Sequence, residues 1–261
     1  MRIIAVVNQK GGSGKTTTTV NLAAALGERE RTVLLIDFDP QGSASQWYGI
    51  SDGGKGLLDV LAGTANLADL VETTPTPGVW VIPCSTWLAG VEKALAAEPG
   101  AEAILRKRLA KLPDERWDYC LIDCPPTLGV LTINALTAAD EVIIPVEAHV
   151  MALAGVAQIH KTVEVVQGRL NPDLAITGIL PCRVDARTRH SQEVVATLRQ
   201  RFEGTVYKTV IRENVRLAEC WSFAKPITQY DSASYGAKDY RDLAAEVVAQ
   251  ERTRRRHHVR T

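Results

Sequence analysis

Six short runs along the chain are apolar at successive rather than alternate positions: residues 3–7, 33–36, 79–82, 120–122, 142–146 and 176–180. A strand with one face in water alternates apolar and polar side chains, whereas a strand covered on both faces reads as a continuous β-branched run. Between these runs lie longer Ala- and Leu-rich segments with helical spacing, at 17–28, 101–112, 151–169, 192–202 and 237–250. Strand and helix therefore alternate. The pattern predicts a doubly wound, mostly parallel α/β sheet with helices on both faces, built as a single domain over residues 1–251. Residues 51–55 and 73–78, rich in Gly, Asp, Thr and Pro, read as surface loops too short to link domains. No internal repeat is present.

The last ten residues depart from this pattern. Residues 252–261 carry five arginines and two histidines with one apolar side chain, so they form no part of a core and are read as a mobile basic tail. For the chain as a whole, 30 basic residues balance 30 acidic ones. Bulk charge thus points to neither nucleic acid nor membrane, and any such partner must be held by a local patch. The five cysteines, Cys84, Cys120, Cys124, Cys182 and Cys220, include no CxxC pair, so a disulfide framework or a zinc finger is not expected. No run of about twenty apolar residues occurs, and no transmembrane span is expected.

Chemistry enters at residues 9–17, Gln-Lys-Gly-Gly-Ser-Gly-Lys-Thr-Thr, between the first strand and the first helix. A polyphosphate needs inward-facing backbone N–H groups and a helix N-terminus, and this placement supplies both. Gly11, Gly12 and Gly14 let the backbone approach, with Ser13 between them and Thr17 opening the helix. Lys15 is positioned to neutralise the outer phosphates of ATP, and the Thr16 hydroxyl suits a hard Mg2+ ion. Two acidic motifs follow at strand ends, Asp37-Phe38-Asp39 and Asp123-Cys124-Pro125-Pro126, where ligand chemistry collects in an open sheet.

The loop is not the strict GxxxxGK[ST], because Gln9 stands at the first glycine position. The form Lys-Gly-Gly-x-Gly-Lys-Thr resembles the deviant Walker A motif of the ParA/MinD group of P-loop NTPases. The segments at 33–42, 118–126, 129–140, 185–188 and 214–219, with Lys225-Pro226-Ile227, extend the resemblance to ParA/Soj partition ATPases over nearly the whole chain. That resemblance implies a slow, Mg2+-dependent ATPase stimulated by a partner. It implies that Lys10 reaches across a homodimer to the partner's ATP, that Asp37 and Asp123 lie at the Mg2+, and that Asp39 orients the attacking water. It further implies that Arg187 and Arg216 touch nonspecific DNA, that the loop at Pro226 walls the adenine, and that a ParB-like adaptor reads the cargo. A cytoplasmic, nucleoid-associated protein without membrane attachment is expected. Cys182-Arg183 and Cys220-Trp221 depart from the pattern and leave partner specificity open. A MinD-like membrane-cycling ATPase would share every nucleotide residue, but it needs an amphipathic helix at the C-terminus, where this chain has only charge.

Overall fold

The computed structural model describes residues 1–261 except 51–53, 55, 92–94, 96–97, 114–115, 150–151 and 259–261, with backbone alone at 252–258. Seven strands form one sheet in the order β3-β4-β2-β5-β1-β6-β7. They are β1 (Arg2–Val6), β2 (Val33–Asp37), β3 (Glu72–Thr73), β4 (Val79–Ile82), β5 (Tyr119–Asp123), β6 (Glu141–Glu147) and β7 (Ala175–Cys182). All pairings are parallel except the two-residue edge strand β3, which runs antiparallel to β4. The six runs read from the sequence are the six parallel strands. β3 was not read from the sequence, since two exposed polar residues carry no hydrophobic period; its Thr73 is the first residue of the segment 73–78 read as loop.

The helices are α1 (Lys15–Gly27), α2 (Ser43–Trp47), α3 (Gly56–Ala62), α4 (Ile104–Leu109), α5 (Val130–Ala138), α6 (Ala152–Arg169), α7 (Arg189–Arg201), α8 (Val215–Ser222), α9 (Ile227–Tyr230) and α10 (Tyr235–His258). They form two layers. Ile4, Val33, Leu35, Val79, Leu121 and Ile143 face α1 and α10, through Val20, Leu22 and Leu26 of α1 and Leu243, Ala244 and Val247 of α10. The alternate set, Ala5, Leu34, Ile36, Ile82, Ile122 and Ile144, packs against α3 to α7. Each of the six parallel strands is thus covered on both faces, which is why its sequence shows no alternation. Cys120 and Cys124 are fully buried in this packing.

Boundaries moved where local chemistry outweighed apolar period. The helix expected from 17 begins at Lys15, because Gly14 in the left-handed region (φ 92°) turns the chain straight into it. The helix expected from 192 begins at Arg189, where the Thr188 hydroxyl accepts from the Ser191 N–H at 3.3 Å. The segment 101–112 is shorter than expected, a 3-10 turn at Ala101–Ala103 followed by α4. The start of the helix expected from Met151 lies outside the described residues.

The last helix is pinned at the N-terminal ends of the strands. Arg2 donates to buried Glu141 at 2.5 and 2.6 Å and to the Val247 carbonyl at 2.6 Å. Gln250 donates to the Thr177 carbonyl, and Glu251 pairs with Arg31 at 3.1 Å and accepts from the Tyr119 hydroxyl. α10 then continues to His258, so the basic segment read as a tail after residue 251 carries on the helix in its backbone as far as that residue.

Candidate active site

The site is assembled at the C-terminal ends of β1, β2 and β5, around a cleft of about 620 Å3. Its floor is the loop from β1 to α1: Gly11, Gly12, Gly14, Lys15, Thr16 and Thr17 line the cleft. Asn8 braces the entry, donating to the Pro145 carbonyl at 2.6 Å and accepting from the Lys10 N–H at 2.9 Å. Gly12 and Gly14 both have positive φ, and a Cβ at Gly14 would stand 3.6 Å from the Cys182 sulfur. Ser13 is buried, and its hydroxyl has no protein partner.

The acidic motifs converge on Lys15. Asp37 and Asp123 are opposite each other across the β2–β5 ladder, and both are fully buried. Thr16 donates to Asp123 at 2.7 Å and Thr19 to its other oxygen at 3.2 Å. Asp37 accepts on one oxygen from both the N–H and the hydroxyl of Ser45, each at 2.7 Å, while its other oxygen has no partner. Asp39, at the cleft wall, accepts from the Gln41 N–H at 3.0 Å.

Lys15 is 7% exposed, and burial pulls its pKa down against the pull of Asp123 and Asp39. Burial, with Asp37 nearby, pushes the Asp123 carboxyl up to about 8, and burial pushes Asp37 up to about 6. Three acidic side chains share one ammonium, and the raised pKa values of two of them mark a site short of positive charge. An all-oxygen set of Thr16, Asp37 and Asp123, with one Asp37 oxygen unpaired, fits a hard divalent cation.

This arrangement sets a pH dependence. A carboxyl whose pKa is raised by folding stabilises the fold below the unfolded pKa of 3.8, and that stability is lost as pH rises through the folded value. In EDTA without nucleotide, the stability these two carboxyls contribute is expected to be lost as pH rises from about 4 through their raised values, read as the pH dependence of the melting temperature in the parent against that in Asp123→Asn. Asp123→Asn should flatten the profile. An unchanged slope in that variant would remove Asp123 as its source.

Of the other residues expected from sequence, Lys10 does not line the cleft. Its side chain is 53% exposed, and its ammonium lies 2.5 Å from Glu147 at the end of β6. Glu147 also faces Arg183 at 3.5 Å, and the Lys10 hydrogen bond holds its carboxyl below the usual range. Pro226 is buried at the start of α9 and does not line the cleft. The wall opposite the loop is formed by Ile211 to Val215 with Leu217 and Tyr240. Arg187, 88% exposed, forks onto Asp185 through two bonds of 2.9 Å, and Arg216, 55% exposed, pairs with Glu219 at 2.8 Å. The backbone brings their segments together, since Val184 bridges to Arg212 and accepts from the Glu213 N–H. Arg212 is occupied by buried Asp239 and stacks on Tyr235, so it is a brace for this corner. Thr19, Ser45 and Glu147 were not singled out from sequence. Thr19 lies three residues after Thr16, on the same helical face, a signal that was there to be used.

The glycine loop between β1 and α1, its buried lysine and the acids at the neighbouring strand ends are the fold and site of a P-loop ATPase. A family model described as an AAA domain matches residues 1–176. The Soj sporulation initiation inhibitor protein of Bacillus subtilis is 46% identical, over 95% of this chain and 98% of its own. The chromosome partitioning protein ParA of Caulobacter vibrioides is 43% identical, over 97% of this chain and 96% of its own. Among solved structures, a Mycobacterium smegmatis cobyrinic acid a,c-diamide synthase with bound ATP analog and magnesium is 37% identical with a TM-score of 0.84, covering 97% of this chain and 96% of that one. The septum site-determining protein MinD of Pyrococcus horikoshii, complexed with Mg-ADP, is 30% identical with a TM-score of 0.75, covering 94% and 95%. The chain belongs to the Soj/ParA family of chromosome-partitioning ATPases.

Proposed function

We propose that this protein is an ATP-switched partition ATPase that dimerises around Mg-ATP, holds nonspecific DNA as that dimer, and lets go after hydrolysis. The observation that carries the reading is the contrast between the two lysines of one loop. Lys15 is sunk among the carboxylates of its own site, whereas Lys10 is turned out of the cleft onto Glu147. A cation that does not line its own cleft is available to a second copy.

The backbone N–H groups of residues 11–16 and the N-terminus of α1 receive the phosphates, with Lys15 on the outer ones. Thr16, Asp37 and Asp123 would hold Mg2+, which when bound supplies positive charge to the phosphate oxygens. Asp39, at the cleft wall and tied to the Gln41 N–H, orients the attacking water. Hydrolysis of this kind needs positioning and charge neutralisation more than covalent chemistry, so a slow basal rate suits this set of residues. Lys10 of the second copy completes the cage, which makes ATP the glue of the dimer and ADP the released state.

Arg187 and Arg216 sit on one corner beside the cleft and give phosphate contacts indifferent to sequence. Dimerisation doubles them. Each must exchange a carboxylate, Asp185 or Glu219, for a phosphate. A ParB-like adaptor that stimulates hydrolysis, and work at the nucleoid, complete the reading. Among the described residues no helix is long and apolar enough to cross a membrane.

The test is oligomeric state. Asp39→Ala in Mg-ATP is expected to give a stable dimer by light scattering, bound to random-sequence DNA, and a monomer in ADP. Adding Lys10→Ala should weaken that dimer by ~100-fold or more, because each dimer loses two charge-assisted phosphate contacts. A monomer in saturating Mg-ATP with hydrolysis blocked overturns the proposal.

A further inference from the structure

We infer that Arg183 is a nucleotide-contact residue, its guanidinium laid against the purine of the nucleotide bound by its own copy of the chain. It stands where the sequence departs from the family pattern, and the loop N–H groups, Lys15 and the acids leave it without a task. It nevertheless lines the cleft, together with Cys182 and the wall at Ile211 to Val215.

The backbone holds it there under strain. Arg183 follows the last residue of β7 with φ 52°, in the left-handed region that a Cβ disfavours. Among the described residues two other non-glycine positions share this region, Glu30 and Ala224, and both close the turn after a helix, where such a conformation is ordinary. No helix ends at Arg183. Its turn is imposed from both sides: the Cys182 carbonyl accepts from the Ala148 N–H at 3.0 Å, and the Val184 N–H donates to the Ile211 carbonyl at 3.1 Å. Strain enforced by neighbours in this way collects at ligand clamps.

The fold makes little use of the guanidinium. Among the described residues its one partner is Glu147, an ion pair of 3.5 Å with a carboxylate that already accepts a hydrogen bond from Lys10. Arg212 on the same wall is what a bracing arginine looks like here, forked onto Asp239 with contacts of 2.5 to 3.1 Å. Arg183 is free to leave Glu147 for a ligand.

The sheet decides which part of the nucleotide it meets. Asp37 and Asp123 end β2 and β5, with Asp39 just beyond, all on one side of β1, so these acids and Lys15 set the outer phosphates on that side. β7 lies on the other side of β1, three strand spacings from β5, about 14 Å. A nucleotide whose phosphates lie over the β1–α1 loop runs its nucleoside toward β7, where Ile211, Leu217 and Tyr240 make the lining apolar. A planar guanidinium covers the face of a purine there, and the attraction of a cation for an aromatic face needs no phosphate.

The experiment is titration calorimetry with Mg-ADP and with Mg-pyrophosphate, which carries two linked phosphates and no nucleoside. Like the proposed function it takes the cleft to be the ATP site, but ADP reads a single copy, so this contact and the ATP-held dimer can fail separately. Arg183→Gly is expected to weaken Mg-ADP about 10-fold and to leave Mg-pyrophosphate within about twofold. Arg183→Lys keeps the charge without the plane and is expected to stay near the glycine variant. Glycine takes φ 52° without strain, so the nucleotide-free Arg183→Gly protein should melt no lower than the parent. Unchanged Mg-ADP affinity in Arg183→Gly overturns the inference. So does an equal loss toward pyrophosphate or full recovery with lysine, either of which moves the contact to the phosphates, and a lower melting temperature would make Arg183 a brace.

Discussion

Lys15→Ala is expected to abolish ATP-dependent behaviour while leaving the chain folded. The residue is 7% exposed and answers Asp123 and Asp39. Without it, a triphosphate would enter a cleft whose buried side-chain charges are all negative. Losing one partner of a buried charge contact typically costs 3–5 kcal/mol, so Mg-ATP affinity should fall by ~100- to 1,000-fold or more. The fold tolerates the change for a reason visible in the same site. Asp123 is already pushed up to about 8, and removal of the nearby cation pushes it further, so it takes a proton instead of standing as a bare buried charge. Titration calorimetry with a non-hydrolysable analog and Mg2+ measures the first part, and thermal melting without nucleotide the second. Retained affinity within about tenfold of the parent would mean that the loop N–H groups and Mg2+ hold the phosphates by themselves. Lys15→Arg is not expected to rescue, since the guanidinium is broader than the ammonium and the site is closed around it.

How this chain's architecture shows in its sequence depends on which force set each piece. The parallel strands were legible because burial on both faces demands unbroken β-branched runs, and residues 33–36 or 142–146 satisfy that demand without reference to anything distant. The loop was legible because a phosphate cradle needs glycines and a lysine at fixed offsets before a helix. Pieces fixed by tertiary contact were not. The short helix Ser43–Trp47 has one turn and no apolar period, yet it exists to bring the Ser45 N–H and hydroxyl onto Asp37. Glu147 is 137 residues from Lys10, and nothing local marks it as the partner of that ammonium. The wall of the cleft is likewise set by tertiary contact. Pro226 stands in the expected motif, but it caps α9 beneath the surface, while Ile211, Leu217 and Tyr240 come to the cleft. A run of arginines after Glu251 does not by itself announce that the backbone goes on as helix to His258.

The site's charges make one argument across these pieces. Carboxylates outnumber Lys15 in the interior, and Lys10, Arg187 and Arg216 on the rim are each held by a carboxylate of this same chain, Glu147, Asp185 and Glu219. Exposed pairs of this kind hold weakly, so they exchange readily when a phosphate offers several oxygens at once. Rim cations parked in this way would suit the ATP-governed switch proposed above.

Gly178→Ala tests whether the wall that supports this corner is as closed as its packing implies. Gly178 is buried in the middle of β7, and a Cβ there would stand 1.9, 2.2 and 2.6 Å from three atoms of the Tyr207 side chain. No real Cβ tolerates such contacts, and Tyr207 cannot swing aside. Its ring is 3% exposed and packed among the residues that join β7 to α10, and its backbone is paired with Ile179. The methyl therefore forces either the strand or the ring out of place, and the expected loss is above ~4 kcal/mol, a range reserved for overpacked or broken cores. Soluble yield and melting temperature should both collapse. The double variant Gly178→Ala/Tyr207→Ala is expected to be more stable than the glycine variant alone. A cavity left by a removed aromatic ring costs about 3–5 kcal/mol by itself, but here the new methyl takes part of the space. If the single alanine variant melts within a few degrees of the parent, the ring does not lie over Gly178, and the join between β7 and the last helix has to be drawn differently.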